Sequence, residues 1–69
     1  MRREIAGYRV KLIALGYRFV AGDRTSVAFE AQNLADELIC LLEEAPVEER
    51  PAVDYLIDRY EALRSASSS

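Results

Sequence analysis

The chain has 69 residues, of which 51% are hydrophobic and 30% are charged, with a formal net charge of −3 and no histidine. This length allows one domain, and the hydrophobic fraction excludes a disordered chain. A single cysteine without histidine excludes an intramolecular disulfide and leaves a structural zinc site without ligands, so no metal or cofactor is expected.

The charge is distributed unevenly along the chain. Residues 1–24 carry six basic and two acidic side chains, whereas residues 25–69 carry three basic and ten acidic ones. No apolar run approaches the ~20 residues of a membrane span, and charged residues interrupt the apolar positions near the N-terminus. We therefore expect a cytoplasmic protein that does not enter a membrane.

The first predicted helix covers residues 2–15. Ile5, Tyr8, Leu12 and Leu15 recur at the spacing of one helical face. Gly16 is expected to end this helix, because glycine adopts the left-handed conformation at little cost after a last helical turn.

A β-hairpin is predicted next. Large apolar residues alternate over 17–21 and again over 25–31, with a turn at 22–24 that sets Phe19 opposite Val27 and Tyr17 opposite Phe29. The alternative is one long helix over 25–45, and hence an all-α three-helix bundle. We favour the hairpin, because the alternative leaves residues 17–20 in a loop.

Two further helices complete the predicted α+β fold. One runs from about 34 to 44, with Asn33 as its N-cap, and ends before Pro46. The other begins near Pro51 and runs to about 64, with Val53, Leu56 and Tyr60 among its inward residues. A single small domain is therefore expected over 1–64, followed by a disordered Ser-rich tail over 65–69.

The residues do not suggest an enzyme. The commonest general base is missing, and Cys40 lies among acidic residues that disfavour a thiolate. We expect Cys40 to be half-buried between the second and third helices. Asp54, Asp58 and Glu61 share one helical face, which is expected to be a solvated surface.

The first helix carries a second apolar face on nearly the opposite side from its main stripe. A helix that is apolar on two sides is either enclosed within its domain or packs against a partner, and 69 residues build a full enclosure with difficulty. We therefore predict a homodimer or docking interface on this face and on the outer hairpin edge. The predicted interface residues are Ala6, Val10, Ile13, Arg18 and Val20.

An alternative function follows from the acidic residues near Pro46. They suit contact with a basic partner, as in a small acidic inhibitor or regulator from a mobile element or phage. These acidic contact candidates are Glu43, Glu44, Glu48 and Glu49. Direct nucleic-acid binding is not expected, since the acidic remainder of the chain repels phosphate.

The predicted element order and several residues resemble the TubC-type N-terminal docking domains of hybrid peptide–polyketide assembly lines. The likeness covers roughly residues 3–45, and Gln32-Asn33 stands where those domains have a Pro-x-Gly stretch. The matching residues are Leu12, Leu15, Gly16, Tyr17, Phe19, Gly22, Asp23, Val27 and Phe29. This resemblance implies a dimeric, non-enzymatic protein–protein interaction module whose hairpin edge captures a partner peptide.

Overall fold

Residues 3–68 form a bundle of three α-helices. A computed structural model describes residues 3–68 of the backbone and the side chains of residues 5–68. The helices are α1 (Arg3–Val20), α2 (Arg24–Glu44) and α3 (Arg50–Ser68). Short connections at 21–23 and 45–49 make successive helices antiparallel, so α1 and α3 run in the same direction, and each helix contacts the other two.

The predicted α+β fold is wrong, because residues 3–68 contain no strand. The two predicted strands lie in the last turns of α1 and the first turns of α2. The all-α alternative describes the architecture, although residues 17–20 belong to α1 and do not form a loop. Helix α2 also begins at Arg24, so Asn33 lies inside it and is not an N-cap.

The apolar run at 17–20 belongs to two helical stripes. Phe19 extends the stripe of Leu12 and Leu15 that packs against the core. Tyr17 and Val20 are 75% and 84% exposed on the opposite side. Two stripes that overlap within one helix therefore produced the alternation that resembled a strand.

The glycine that ends α1 is Gly22, whereas Gly16 lies inside the helix. Gly22 has φ +101°, a conformation that strongly favours glycine. Its amide donates to the carbonyl of Phe19, and the amide of Asp23 donates to the carbonyl of Arg18, each at 3.0 Å. This pair of hydrogen bonds is a Schellman motif, which satisfies carbonyls of the last turn.

The core lies between the inner faces of all three helices, with most of it between α2 and α3. Among the side chains of residues 5–68, helix α1 contributes two buried ones. The buried residues are Ile5, Leu15, Val27, Ala31, Ala35, Leu38, Val53, Leu56 and Tyr60. The inward positions predicted for the third helix at Val53, Leu56 and Tyr60 are confirmed.

Helix α2 ends at Glu44, one residue before the Ala45-Pro46 pair, as predicted. Helix α3 extends to Ser68, four residues past the predicted domain boundary at 64, with Ser67 buried. Residues 65–68 of the predicted tail are thus helical, and residue 69 lies outside the described part of the chain. None of the helices over 3–68 is long and apolar enough to cross a membrane.

Candidate interaction surface

The outer face of α1 is a continuous apolar surface. Its five residues are separated by four, three, four and three positions, and all five are exposed. They are Ala6, Val10, Ile13, Tyr17 and Val20, and we call this set the α1 seam. Four of the five residues predicted for an interface belong to it, namely Ala6, Val10, Ile13 and Val20.

The exposure of the seam is large for apolar side chains. Val10 and Ile13 are 66% and 60% exposed, and Tyr17 and Val20 are exposed still further. Scattered exposed apolar residues are ordinary on protein surfaces, but a contiguous patch is typical of an interaction site. The side chains predicted for an interface at Val10, Ile13 and Val20 are thus accessible, and Tyr17 adds an aromatic ring to them.

Small residues border the seam. Gly7, Ala14 and Ala21 follow one side at intervals of seven residues, and all three are exposed. Gly16 lies on the other side, where Arg9 supplies a charge. A repeat of three and four residues, with a mean period of 3.5, is the spacing of a coiled-coil contact. The small borders leave space for another helix to approach closely.

Two open grooves lie beside α1. One, of about 370 Å³ between α1 and α2, is lined by both apolar and charged side chains, including Lys11, Ala14 and Glu37. The other, of about 300 Å³ between α1 and α3, includes Gly16 and Arg59 in its lining. Ala14 and Gly16 therefore place the middle of the seam between two depressions in the surface.

Arg18 lies outside the seam and joins α1 to α2. Its guanidinium donates to Asp23 Oδ2 at 3.0 Å and forms an ion pair with Glu30. The hydrogen bond with Arg18 lowers the pKa of Asp23, and the same contact raises the pKa of Arg18. Arg18 was assigned to an interface on a hairpin edge, but in this fold it pairs with acidic residues of its own chain.

Two tyrosines attach the inner face of α1 to the other helices. The Tyr8 hydroxyl donates to Glu37 Oε1 at 2.9 Å, and the buried Tyr60 hydroxyl donates to the Tyr8 backbone carbonyl. Burial raises the pKa of the Tyr60 phenol above its usual range, and the nearby Tyr8 and Glu37 raise it further. The inner face of α1 is therefore fixed by specific polar contacts, while the seam points to solvent.

The acidic candidates surround the connection between α2 and α3. Glu43, Glu44 and Glu48 are exposed, whereas Glu49 is half-buried. Val47 lies among them and is 78% exposed. The structure therefore brings three accessible carboxylates and one apolar side chain to one end of the bundle.

The remaining candidates lie on exposed surfaces. Asp54, Asp58 and Glu61 are exposed, as expected for a solvated face. Cys40 is exposed on α2, so the prediction that it is half-buried is wrong. Over the described residues, acidic and cysteine side chains form no group of three that could hold a metal ion.

Sequence reasoning missed Tyr17 as a surface residue. The hairpin prediction placed Tyr17 and Phe29 on a covered face, but they are 75% and 68% exposed on different helices. The signal for Tyr17 was the spacing of Val10 and Ile13 continued by one more turn. The prediction did not use it, because Gly16 was assigned as the end of the helix.

No protein-family model matches the chain, and comparisons with curated proteins and with solved structures find no significant match. The likeness to TubC-type docking domains therefore remains a prediction from residue pattern alone. The hairpin that was part of that pattern does not occur in residues 3–68. Those residues consequently offer no strand edge for capture of a peptide.

Proposed function

We propose that this protein is a non-enzymatic protein–protein interaction module whose docking surface is the α1 seam. The observation that carries the proposal is the row of four large apolar side chains that are 60–84% exposed along one helix. A small chain gains little by leaving such a row in water, since each buried side chain of this size contributes about 1.5–3 kcal/mol. Burial against another protein recovers that free energy.

The inner face of α1 supports the same function. The Tyr8 and Tyr60 hydrogen bonds hold the helix in one orientation, so the seam is presented on a preformed surface. A preformed surface loses less conformational entropy on association than a flexible one does. The module would therefore bind partners with little rearrangement.

A charged substitution in the seam tests this function. Val10→Glu places a carboxylate in the seam but keeps good helix propensity, so the fold is expected to survive. Partners captured by the wild-type protein and then purified should bind the variant at least about tenfold more weakly, because a buried unpaired carboxylate opposes association. Isothermal titration calorimetry measures the difference.

The matched control is Phe29→Glu. Phe29 is 68% exposed, close to the 66% of Val10, but it lies on α2 outside the seam. This variant should bind the purified partners like the wild type. Equal binding by all three proteins would contradict the proposal.

A second candidate function is that of a small acidic inhibitor or regulator that covers a basic surface of its target. It is favoured by the exposed Glu43, Glu44 and Glu48 around the exposed Val47. Attraction between exposed charges is screened by salt, with a Debye length of about 10 Å at 0.1 M. Partner binding that weakens steeply between low and high salt, and that is insensitive to Val10→Glu, would identify this function.

A further inference from the structure

We propose that the occupant of the α1 seam is the α1 seam of a second copy of this chain, packed antiparallel, with the two helices crossing near Ala14 and Gly16. This inference rests on the proposed function and names the partner. The spacing of the seam residues, the small residues that border them, their exposed area and the charges of α1 all favour this partner.

The spacing indicates a helical partner. Separations of four and three residues keep a row of side chains on one side of a helix and face them towards a second helix that supercoils around it. A globular partner needs no such regularity. Five seam positions cover the helix from Ala6 to Val20, which is almost its whole described length.

The borders of the seam favour a second copy over a different protein. Coiled coils that select a different partner do so largely through charged residues beside the seam. Here four of the five bordering positions are glycine or alanine, and only Arg9 is charged. A surface with so little charge has no evident means of excluding itself, and the same apolar patch on two copies is self-complementary about a two-fold axis.

The exposed area is sufficient for a dimer. A tyrosine presents roughly 150–250 Å² and the aliphatic side chains somewhat less, so the seam exposes on the order of 500 Å² on each copy. Two copies together approach the roughly 1,000 Å² at which an interface becomes specific. All four large side chains of the seam must therefore be buried in one contact for the dimer to be stable.

The charges and side-chain sizes favour the antiparallel orientation. Arg9 and Lys11 lie in the first half of α1, so a parallel pair would bring identical cations alongside each other. An antiparallel pair separates them and sets the helix dipoles in opposition. All four large residues find partners if Val10 lies against Val20 of the second copy and Ile13 lies against Tyr17.

That register puts the crossing point between Ile13 and Tyr17. The bordering residues there are Ala14 and Gly16, and nothing lies within 4 Å of a Cβ built on Gly16. Small residues at a crossing let two helices approach closely. The widest side chains thus lie away from the point where the backbones are nearest.

Sedimentation equilibrium tests self-association on the full chain. The wild type should sediment at about twice its mass of 7.8 kDa, and Val10→Glu should raise the dimer dissociation constant by roughly 100-fold or more, since both copies bury a carboxylate. Phe29→Glu should remain a dimer. If circular dichroism shows that Val10→Glu loses helix, Tyr17→Glu replaces it as the seam variant.

A wild-type protein that is monomeric at high micromolar concentration would overturn this inference, as would a dimer that neither seam variant dissociates. Neither result decides the proposed function, because that function is tested by the affinity of the purified partners. Those partners can bind a wild type that is monomeric, and Val10→Glu can still weaken that binding.

Disulfide formation tests the orientation. In a Cys40→Ser background, which removes the native thiol, a mixture of Val10→Cys and Val20→Cys chains should form a mixed disulfide. Each variant alone should form little, because an antiparallel pair keeps identical ends apart. Efficient cross-linking of Val10→Cys to itself would indicate a parallel pair and overturn the antiparallel arrangement.

Discussion

Helices α2 and α3 differ from α1 in how their apolar residues are used. Helices α2 and α3 contact each other more extensively than α1 contacts either of them. Nine hydrophobic side chains are buried within residues 5–68, and seven of them belong to α2 and α3. Helix α1 instead divides its apolar residues between an inner stripe and the exposed seam. Helices α2 and α3 therefore form most of the core, whereas α1 presents an exposed apolar surface.

This difference indicates that the two regions depend on different contacts for their stability. Elements with few buried contacts open more easily than the core, and such elements are often the ones that bind partners. The attachment of α1 relies on Ile5, Leu15 and the polar contacts of Tyr8, Tyr60 and Arg18. Substitutions in the two regions should therefore have unequal effects.

The largest expected effect is that of Leu38→Ala. Leu38 is fully buried in α2, and truncating a buried leucine costs about 2–5 kcal/mol through lost transfer free energy and the cavity that remains. We expect the free energy of unfolding to fall by the upper part of that range. Leu15→Ala, in the less enclosed α1, should cost about 2 kcal/mol. Urea denaturation measures both values, and equal losses would contradict the contrast between the two regions.

Gly22→Ala should have the next largest effect. An alanine in the left-handed region costs about 1–2 kcal/mol, and the space around Gly22 is open, so the loss comes from the backbone alone. Because Gly22 ends α1, amide hydrogen exchange should accelerate more in α1 than in α3. Gly16→Ala is the matched control inside the helix, and it should be neutral or stabilising for the monomer. Uniform acceleration in all three helices would show that α1 does not open separately.

Tyr60→Phe removes the hydroxyl that joins α3 to the Tyr8 carbonyl. Loss of one hydrogen bond of this kind costs about 1 kcal/mol near neutral pH. The raised pKa of Tyr60 means that the unfolded chain loses the phenolic proton near pH 10 while the folded chain keeps it. The Tyr60 hydroxyl therefore contributes its full stabilisation of the folded state below about pH 10, and this stabilisation is lost as the pH rises further.

The difference in unfolding free energy between the wild type and Tyr60→Phe should therefore narrow in alkaline solution. Denaturation at several pH values from neutral to alkaline measures it. Tyr55→Phe is the control, since Tyr55 is 63% exposed. A difference that stays constant above pH 10 would indicate that the Tyr60 phenol ionises in the folded protein.

The smallest effect on stability is expected for Asp23→Asn, which weakens the ion pair between Arg18 and Asp23 beside the turn. Exposed ion pairs contribute little and are screened by salt. The pKa of Asp23 is lowered, so its contribution is present above the usual carboxyl pKa and is lost as the pH falls through the lowered value. The wild type and the variant should become equally stable in acid.

Thermal midpoints at neutral and acidic pH, in low salt, measure the Asp23 effect. Asp36→Asn is the matched control, because Asp36 contacts only Gln32 among the hydrogen bonds described for it, within the same helix. A difference between Asp23→Asn and the wild type that persists at acidic pH would mean that the turn depends on Asp23 by some other contact.

The end of α2, the exposed apolar face of α1 and the inner face of α3 could be predicted from the sequence, but the structure of residues 17–31 could not. Pro46 marked the end of α2, and the spacing of Val53, Leu56 and Tyr60 marked the inner face of α3, because each signal is local. The exposed apolar face of α1 was visible in the same way. These features depend on one helix at a time.

The structure of residues 17–31 could not be predicted because residues 17–20 satisfy two patterns at once. Four residues are too few to separate a strand from a helix that carries stripes on both sides. In the sequence, Gly16 and Gly22 are equally plausible ends for the first helix. Only the packing of Phe19 on the core shows that the helix continues past Gly16. The proposed occupant of the seam is a second molecule, and a local pattern in one chain does not identify it.

The alternating direction of the helices has a practical consequence for attaching other proteins. Residues 3 and 68 lie towards opposite ends of a body about 36 Å long, because α1 and α3 run parallel. A fluorescent protein fused before α1 and another fused after α3 would therefore be held apart within one chain. In an antiparallel pair, a fluorescent protein fused before α1 of one chain would approach another fused after α3 of the second chain. Energy transfer between chains that each carry one label would therefore report assembly in living cells.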